Sequence, residues 1–302
     1  MARNWTAIIL AGGDGTRLRA LTQRIAGDER PKQFCRVLGS ETLLEQTRRR
    51  VARAIAPRET LFSVTRRHEA YYRQALWGAS DRNVVVQPDN RGTAPAILYA
   101  VMRLTAMTTS AATAIFPSDH YVSDDDAFMA RVERALDFVT RRPDLVVLLG
   151  IAADRPEIEY GWIEPGDAVP GQSAWPIYRV QRFWEKPTAD VAGQLLGRGC
   201  FWNSFVIVAH AGRLRDLIGR SVPPLTHAFA ALGTRLGTPW ETAAARSAYA
   251  RIGSIDFSQR VLETNSSSLA VLPVTGLEWS DLGSLPRVLA MRQRLEQAPV
   301  TA

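Results

Sequence analysis

The amino-acid sequence predicts an α/β fold in which helices cover both faces of a mostly parallel, mixed β-sheet. In the first half of the 302-residue chain, strand-like and helix-like segments alternate, and strands that are separated by helices become parallel neighbours through crossover connections. In the second half, longer apolar segments follow Gly- and Pro-rich turns, which indicates further strands in the same sheet. Ligands of such sheets bind at the carboxyl ends of the strands, so the residues just after each strand are candidates for a site.

Short apolar segments rich in β-branched residues predict strands, and apolar residues at helical spacing predict helices. In the first half the strands cover residues 6–10, 60–64, 83–87, 113–117 and 145–151, and the helices cover 41–56, 67–77, 93–107 and 124–141, the first with Ser40 as its candidate N-cap. In the second half we expect strands over 177–187, 200–210 and 269–274, helices in pieces between 211 and 265 that break at Pro223, Pro224, Gly237 and Pro239, and a last helix to about 297.

Length and composition favour one globular domain over residues 1–302, since 46% of the residues are apolar. Within it we expect a first half to about 151, a second half from about 152 to 288 that supplies the other wall of a cleft, and a C-terminal helix and tail over 289–302. No apolar segment approaches the roughly 20 residues that cross a bilayer. Cys35 and Cys200 have neither disulfide nor metal spacing. These features predict a cytoplasmic protein.

The formal net charge of +7 raises the question of nucleic-acid binding. The arginines are scattered and are not interleaved with aromatic residues. The run Arg48, Arg49 and Arg50 follows Glu41 and Glu45 on a predicted helix, which favours a solvated face with a Glu45–Arg49 pair over a DNA contact. We therefore expect small polyanions as ligands, with no nucleic-acid and no membrane partner and with a homodimer as a candidate assembly.

A glycine cluster, AGGDGTR, lies between the first predicted strand and a helix start. The backbone N–H groups of Gly12, Gly13 and Gly15 can surround phosphate oxygens. A dinucleotide loop would need a third spaced glycine and a later acidic residue, and a Walker loop would need Gly-Lys-Ser/Thr; neither pattern is present. A plain turn remains the alternative, but Arg17 and Lys32 are two cations that a turn does not need, and they favour a phosphoryl-transfer site.

The combination of LAGGDGTRL and RPKQF resembles the sugar-1-phosphate nucleotidylyltransferases, and among them the mannose-1-phosphate guanylyltransferases. The resemblance continues in order with GTAPAI (92–97), FPSDH (116–120), EYGWIEPG (159–166), FWEKP (183–187), FWNS (201–204), SIDF (254–257) and EWSDLGS (278–284). It implies the Rossmann-like fold of nucleotide-diphospho-sugar transferases, in a short form without the isomerase domain of longer relatives. The implied reaction is attack by a sugar-1-phosphate oxygen on the α-phosphorus of a nucleoside triphosphate, which releases pyrophosphate with the help of Mg²⁺.

The resemblance also implies a role for each matched residue. Arg17 and Lys32 would be the catalytic cations, and Asp119 and Asp281 would hold the metal. The nucleotide would contact Ala11, Gly12, Gly13, Gly15, Thr16, Gln87, Gly92, Thr93 and Ser118, and the sugar 1-phosphate would contact Gly161, Glu185, Lys186 and Asn203. Taken singly, either aspartate would be a turn or cap residue, and Glu185 with Lys186 would be a surface ion pair.

Three positions depart from the family pattern. The family usually has RNTAP where this chain has RGTAP, so Gly92 removes a side chain near the expected base. Gln87 is typical of thymidylyl and uridylyl relatives, and Phe205 follows WNS where the family has glycine. The expected reaction makes GDP-mannose from GTP and mannose-1-phosphate. The alternatives are UTP, dTTP or ATP as the nucleotide, glucose-1-phosphate as the sugar, and a non-catalytic sensor that binds sugar nucleotides.

Overall fold

The computed structural model describes residues 5–108, 112–171 and 175–297. Its strands are β1 (Trp5–Leu10), β2 (Thr60–Thr65), β3 (Val84–Gln87), β4 (Ala112–Pro117), β5 (Tyr121–Val122), β6 (Val146–Ala152), β7 (Gly161–Ala168), β8 (Tyr178–Glu185), β9 (Phe201–His210), β10 (Leu269–Val274) and β11 (Trp279–Ser280). Its helices are α1 (Arg19–Ala26), α2 (Leu43–Val51), α3 (Glu69–Ala75), α4 (Thr93–Met107), α5 (Asp125–Arg141), α6 (Ala189–Gly197), α7 (Ala211–Ser221), α8 (Pro223–Gly233), α9 (Glu241–Tyr249) and α10 (Leu285–Gln297).

Nine strands form one mixed sheet in the order β3-β2-β1-β4-β9-β6-β10-β8-β7, and β5 pairs with β11 beside it. Strands β3, β2, β1 and β4 are parallel, as crossover helices require. Strand β9 lies between β4 and β6 and runs antiparallel to both. The mixed α/β sheet predicted from the sequence is confirmed. The second half of the chain also inserts a strand into the first half, and the boundary between the halves stays a prediction.

Two apolar layers cover the sheet because neighbouring residues of each strand point to opposite faces. In β1, Ala7 and Ile9 belong to the apolar cluster that also contains residues of α2, α3, α5 and α6, whereas Ile8 belongs to the cluster that contains residues of α4, α7, α8 and α9. A third cluster joins α10 to the segment that follows the glycine loop, through Leu18, Cys35, Leu43, Leu282 and Val288. Among the described helices, none is both long and apolar enough to cross a bilayer.

The strand and helix predictions agree with the structure except at a few places. The predicted N-cap Ser40 is wrong: α2 is capped by Thr42, whose hydroxyl accepts a hydrogen bond from the backbone N–H of Glu45 while the Glu45 carboxylate accepts one from Thr42. This is the Thr-x-x-Glu capping box, a signal present in the sequence. Strand β7 was not predicted, because Gly161 and Gly166 within it are typical of turns. Helix α6 was not predicted either. Residues 298–302 of the predicted tail lie outside the described residues.

The expected solvated arginine face is also partly wrong. Arg50 is buried, with its Nε 2.6 Å from Oδ1 of Asp125. Arg49 pairs with Glu41 at 3.2 Å and with Asp125 at 3.3 Å, because the capping box occupies Glu45. The run therefore ties α2 to the N-terminus of α5, where a carboxylate is also favoured by the helix dipole.

The loop before α4 is docked on a segment of the second half. The backbone N–H of Ala94 donates to the Ile255 carbonyl at 3.1 Å, and the N–H of Ile255 donates to the Arg91 carbonyl at 2.9 Å. Gly92 lies between them with a φ of +85°, and a Cβ atom there would lie 2.5 Å from the Ile255 oxygen. Glycine is required here both by the left-handed backbone and by the close approach.

Replacing Gly92 with alanine is expected to lower the free energy of unfolding by about 3 kcal/mol, the sum of left-handed strain and steric overlap. Gly27 is a control for a positive φ without a close contact: its φ is +78° and its ψ is 1°, whereas the ψ of Gly92 is −177°, and nothing lies within 4 Å of a Cβ at Gly27. Gly27→Ala should cost only the strain of a left-handed residue, about 1 kcal/mol. Urea denaturation followed by circular dichroism measures both variants. Equal losses would contradict the steric role of Ile255.

Candidate active site

One cleft of about 420 Å³ lies at the carboxyl ends of β1 to β4 and faces loops of the second half. It is lined by these predicted site residues: Gly12, Gly13, Gln87, Gly92, Thr93, Ser118, Asp119, Gly161, Glu185, Asn203 and Asp281. The other predicted site residues lie beside or behind its lining: Ala11, Gly15, Thr16, Arg17, Lys32 and Lys186. The cleft thus lies at the carboxyl ends of the strands, where the sequence analysis expected a site. The role of each residue stays a prediction.

Lys32 lies behind the cleft wall and connects the two predicted metal ligands. Its Nζ donates to the backbone carbonyls of Asp281 at 2.6 Å and Leu282 at 3.0 Å, and lies 3.3 Å from Oδ2 of Asp119. The Lys32 side chain is 10% exposed. A buried ammonium is stable only when it is paired and hydrogen-bonded, as it is here. Lys32 therefore fixes the loop that carries Asp281 against the end of β4.

Asp281 is held in one orientation by three donors. Its Oδ1 accepts hydrogen bonds from the Tyr160 hydroxyl at 3.0 Å, from the Gly283 backbone N–H at 2.9 Å and from Nη1 of Arg287 at 3.0 Å. A Cβ on Gly283 would lie 2.4 Å from Oδ2 of Asp281, so only glycine permits this close turn. The loop sequence Asp-Leu-Gly is thereby shaped around the carboxylate.

The charges around Asp281 keep it ionised. Burial raises the pKa of this carboxyl, but His120 when protonated, Arg287 and Lys32 outweigh that effect, so the pKa lies below its ordinary value. Burial also lowers the pKa of the His120 imidazole and raises the pKa of the Tyr160 hydroxyl. At neutral pH the cleft therefore presents an ionised aspartate beside a neutral histidine and a protonated tyrosine.

Arg287 on α10 belongs to the site, although sequence reasoning missed it. Its Nη2 lies 2.8 Å from Glu159 and 2.9 Å from Glu157, its Nη1 contacts Asp281, and its guanidinium lies 4.5 Å from the centre of the Tyr160 ring. The predicted catalytic cation Arg17 lies 3.6 Å from Glu159 and is well exposed. Glu159 thus bridges Arg17 and Arg287.

The missed residues lay within or beside motifs that were already singled out. Glu159 and Tyr160 begin EYGWIEPG, and Arg287 follows EWSDLGS by one helical turn. A cation shortly after an acidic motif was a usable signal for Arg287. Nothing local could reveal that it pairs with residues more than a hundred positions away.

The glycine loop is packed tightly on its neighbours. A Cβ on Gly12 would lie 2.6 Å from Nε2 of Gln87 and 2.8 Å from Oγ1 of Thr65, and a Cβ on Gly15 would lie 3.0 Å from the Lys32 backbone nitrogen. Gly15 also has a φ of +58°. Each of these two glycines therefore permits a close backbone approach, and Gly13 remains exposed toward the cleft.

Asp14 in the glycine loop contacts residues at the ends of the two neighbouring strands. One carboxylate oxygen accepts a hydrogen bond from the Asn90 amide at 3.0 Å, and the other lies 3.4 Å from Arg67 and 3.5 Å from His68. The Asn90 side-chain oxygen in turn accepts from the backbone N–H of Gly92 at 3.0 Å. The loops after β1, β2 and β3 are joined in this way.

Gln87 is buried below the glycine loop, and both ends of its amide have partners. Its Nε2 donates to the Ser63 hydroxyl at 3.1 Å, and its Oε1 accepts from the Tyr249 hydroxyl at 3.2 Å. Each end of the amide keeps one further hydrogen-bonding position, because the NH2 group has a second N–H and the oxygen has a second lone pair. Gln87 also lines the cleft, so its contact with the nucleotide stays a prediction.

The opposite end of the cleft holds the predicted sugar contacts. A Cβ on Gly161 would lie 3.0 Å from Oε2 of Glu185 and 3.4 Å from Cβ of Asn203, so these three residues are in contact. Lys186 lies 3.4 Å from Oε1 of Glu185 and is more than half exposed. The carboxylate of Asp256, which was not predicted, lines the same end.

Backbone strain marks the same region. Among the described residues, three that are not glycine have a positive φ: Lys186 at +48°, Phe205 at +57° and Leu282 at +48°. Each such residue costs about 1–3 kcal/mol and is retained where the surrounding structure over-determines it. All three lie next to or within the cleft lining, which supports its identification as the functional site.

The donor set fits a divalent cation that also binds phosphate. Asp119 and Asp281 line the cleft with side chains that are 27% and 24% exposed. Carboxylates, phosphate oxygens and water are the ligands that such hard cations take. No group of three or more His, Cys, Asp or Glu side chains that could hold a metal occurs among residues 5–108, 112–171 and 175–297. An ion here would therefore need substrate oxygens to complete its coordination.

Comparisons with known proteins give the family of the chain. A model of the nucleotidyl transferase family matches residues 6–298. The alginate biosynthesis protein AlgA of Pseudomonas aeruginosa is 32% identical over 216 residues, 68% of this chain and 42% of AlgA. The mannose-1-phosphate guanylyltransferase ManC of Salmonella typhimurium is 29% identical over 72% of this chain and 45% of ManC. The chain spans about half the length of the curated relatives it matches.

A solved structure shows the same fold over nearly the whole chain. The crystal structure of mannose-1-phosphate geranyltransferase from Thermus thermophilus has a TM-score of 0.80 and 31% identity, and the match covers 95% of this chain and 79% of that one. Together with the match over residues 6–298, this likeness confirms the resemblance predicted from the collinear motifs. The chain belongs to the nucleotidyl transferase family.

Proposed function

We propose that the protein transfers a guanylyl group from GTP to mannose-1-phosphate and forms GDP-mannose and pyrophosphate. One observation carries the proposal: buried Lys32 joins Asp119 and Asp281, and both aspartates line the same cleft as Gly12 and Gly13 of the glycine loop. Fixed cations and backbone amides are what a reaction between two polyanions needs. The choice of GTP and mannose-1-phosphate follows from the similarity to ManC, which is a mannose-1-phosphate guanylyltransferase. A cytoplasmic location and a homodimer stay predictions.

The family generally uses a divalent metal ion, and we propose Mg²⁺ as the ion. Asp119 and Asp281 would hold it, and Mg²⁺ would neutralise negative charge on the phosphates as the transition state forms. Lys32 pairs with the Asp119 carboxylate and holds the backbone of Asp281, while Tyr160 and Arg287 orient the Asp281 carboxylate. A site held in this way would need little reorganisation during the reaction.

The attacking phosphate oxygen is an anion at neutral pH, so the reaction needs no general base. Tyr160 keeps its proton, because burial raises the pKa of its hydroxyl, and this O–H donates a hydrogen bond to Asp281. The glycine loop would bind the triphosphate, with Arg17 and Lys32 as the cations that offset its charge. The Glu185 carboxylate would accept hydrogen bonds from sugar hydroxyls, and the Asn203 amide would donate to them. Exposed Lys186 would contact the sugar phosphate.

Gln87 keeps the choice of nucleotide open. Its oxygen accepts from Tyr249 and its nitrogen donates to Ser63, but its second N–H and second lone pair remain for a base in the cleft that Gln87 lines. UTP and dTTP therefore stay alternatives to GTP. Transfer to glucose-1-phosphate, or with another nucleotide, remains the alternative that the next experiment decides.

Pyrophosphate release from GTP, UTP, dTTP and ATP, each with mannose-1-phosphate or glucose-1-phosphate and Mg²⁺, tests the function. We expect kcat/KM for GTP with mannose-1-phosphate to exceed every other pair at least about tenfold, as pocket discrimination allows. A different preferred pair would keep the reaction and replace the substrates. Tight binding without turnover on any pair would favour the sensor instead.

Asp119→Asn and Asp281→Asn should each lower kcat by roughly 10²-fold or more, because they remove charge from the metal site while keeping the side-chain shape. The Mg²⁺ concentration for half-maximal activity should rise in both. Asp144→Asn is the control, since this half-exposed aspartate pairs with Arg142 away from the cleft. Activity of either variant near that of the control would show that the metal lies elsewhere.

Glu185 predicts a pH dependence of stability. Burial, followed by the charge of Asp256, raises the pKa of this carboxyl above its ordinary 4.5. The ionised form therefore destabilises the fold, and this cost grows as pH rises from 4.5 through the raised pKa. Glu185→Gln removes the cost, so its Tm should exceed that of the wild type at pH 8 and approach it at pH 4.5.

Exposed Glu29 provides the control, because its side chain is 65% exposed. Glu29→Gln should leave the Tm difference from the wild type independent of pH. Thermal unfolding between pH 4.5 and 8 compares the two variants. A Glu185→Gln difference that does not grow with pH would contradict the assigned direction.

A further inference from the structure

Phe205 lies at a bulge of β9 that turns its side chain into the cleft. The register between β9 and β6 shifts at Leu148 and Gly150. The Ser204 hydroxyl donates to the Leu149 carbonyl at 2.7 Å, and the side-chain oxygen of Asn203 accepts from the backbone N–H of Phe205 at 3.0 Å. These bonds hold Phe205 at a φ of +57°, a conformation in which a bulky residue is an outlier.

The phenyl ring is fixed by a contact with the other wall. It packs edge to face on Phe257, with ring centroids 6.4 Å apart and planes at 75°. Phe257 is fully buried, and its backbone N–H donates to the Thr93 hydroxyl at 2.8 Å. A glycine would relieve the backbone strain at position 205. The Phe205 ring is therefore present despite the backbone strain of its positive φ, which points to a functional role in the cleft.

The surroundings of the ring are polar and narrow. Glu185, Asn203 and Asp256 line the same end of the cleft as Phe205. Gly161 is packed so closely that a Cβ there would lie 2.9 Å from the Phe183 ring. This end therefore offers acceptors for hydroxyl groups on one side and one aromatic surface for a sugar's C–H face on the other.

We propose that Phe205 determines sugar specificity: its ring admits hexose 1-phosphates that carry only hydroxyl substituents and excludes N-acetylhexosamine 1-phosphates. An acetamido group is larger than a hydroxyl, and the ring is held from both walls, so it cannot move aside without breaking its contact with Phe257. This inference rests on the proposed function and names the class of sugar that the site accepts.

The test compares the wild type with Phe205→Gly, Phe205→Ala and Phe205→Tyr. The measured quantity is the ratio of kcat/KM for mannose-1-phosphate to kcat/KM for N-acetylmannosamine-1-phosphate, two sugars that differ only in the C2 substituent, with GTP and Mg²⁺. The glycine and alanine variants both remove the ring, and we expect the ratio to fall at least about tenfold in each. The tyrosine variant keeps the width of the ring and should keep a ratio near that of the wild type.

A second measurement separates the ring from the strain. Only Phe205→Gly relieves the positive φ, so its Tm should be higher than that of Phe205→Ala, while both variants lose selectivity alike. A wild type that uses both sugars equally, or unchanged ratios in folded glycine and alanine variants, would overturn the inference. A wild type that releases no pyrophosphate with any sugar 1-phosphate would instead overturn the proposed function, and this inference with it.

Discussion

The candidate site depends on the buried ammonium of Lys32, which joins segments 249 residues apart along the chain. It donates to the carbonyls of Asp281 and Leu282 and pairs with Asp119. Without it, two carbonyl oxygens would lose a donor and the Asp119 carboxylate would lose its counter-charge, and each loss is costly in a partly buried place. Lys32 is thus structural as well as a predicted catalytic cation. Replacing Lys32 would remove both roles at once.

A chain of alternating charges continues from Lys32 around the cleft. Asp281 contacts Arg287, Arg287 contacts Glu159, and Glu159 lies near Arg17. Opposite charges at these distances attract one another and hold the side chains in place. The cleft therefore keeps fixed charges while its histidine and tyrosine stay neutral. An arrangement of this kind suits a reaction whose difficulty is the repulsion between anions, since charge stabilisation needs no proton movement.

Local signals in the sequence predicted the elements, and long-range contacts decided what they do. Helix α4 has the predicted bounds, because its apolar residues continue on all sides and glycine precedes it. Strand β7 was not predicted, because Gly161, Pro165 and Gly166 are typical of turns. Hydrogen bonding to β8 and β9 nevertheless makes this segment a strand. Most of the predicted site residues lie in one cleft at the ends of the strands, as expected for an α/β sheet. That Arg287 would hold Asp281 depends on how α10 packs, which no local pattern contains.

Gly92 and Phe205 contact the same short segment: Gly92 packs on the Ile255 carbonyl, and Phe205 packs on Phe257. The hydroxyl of Thr93, which follows Gly92, accepts a hydrogen bond from the backbone N–H of Phe257. A side chain at position 92 would overlap the Ile255 carbonyl, so the close packing of this segment requires glycine there. The support that Phe257 gives to the Phe205 ring therefore depends in part on the packing at Gly92.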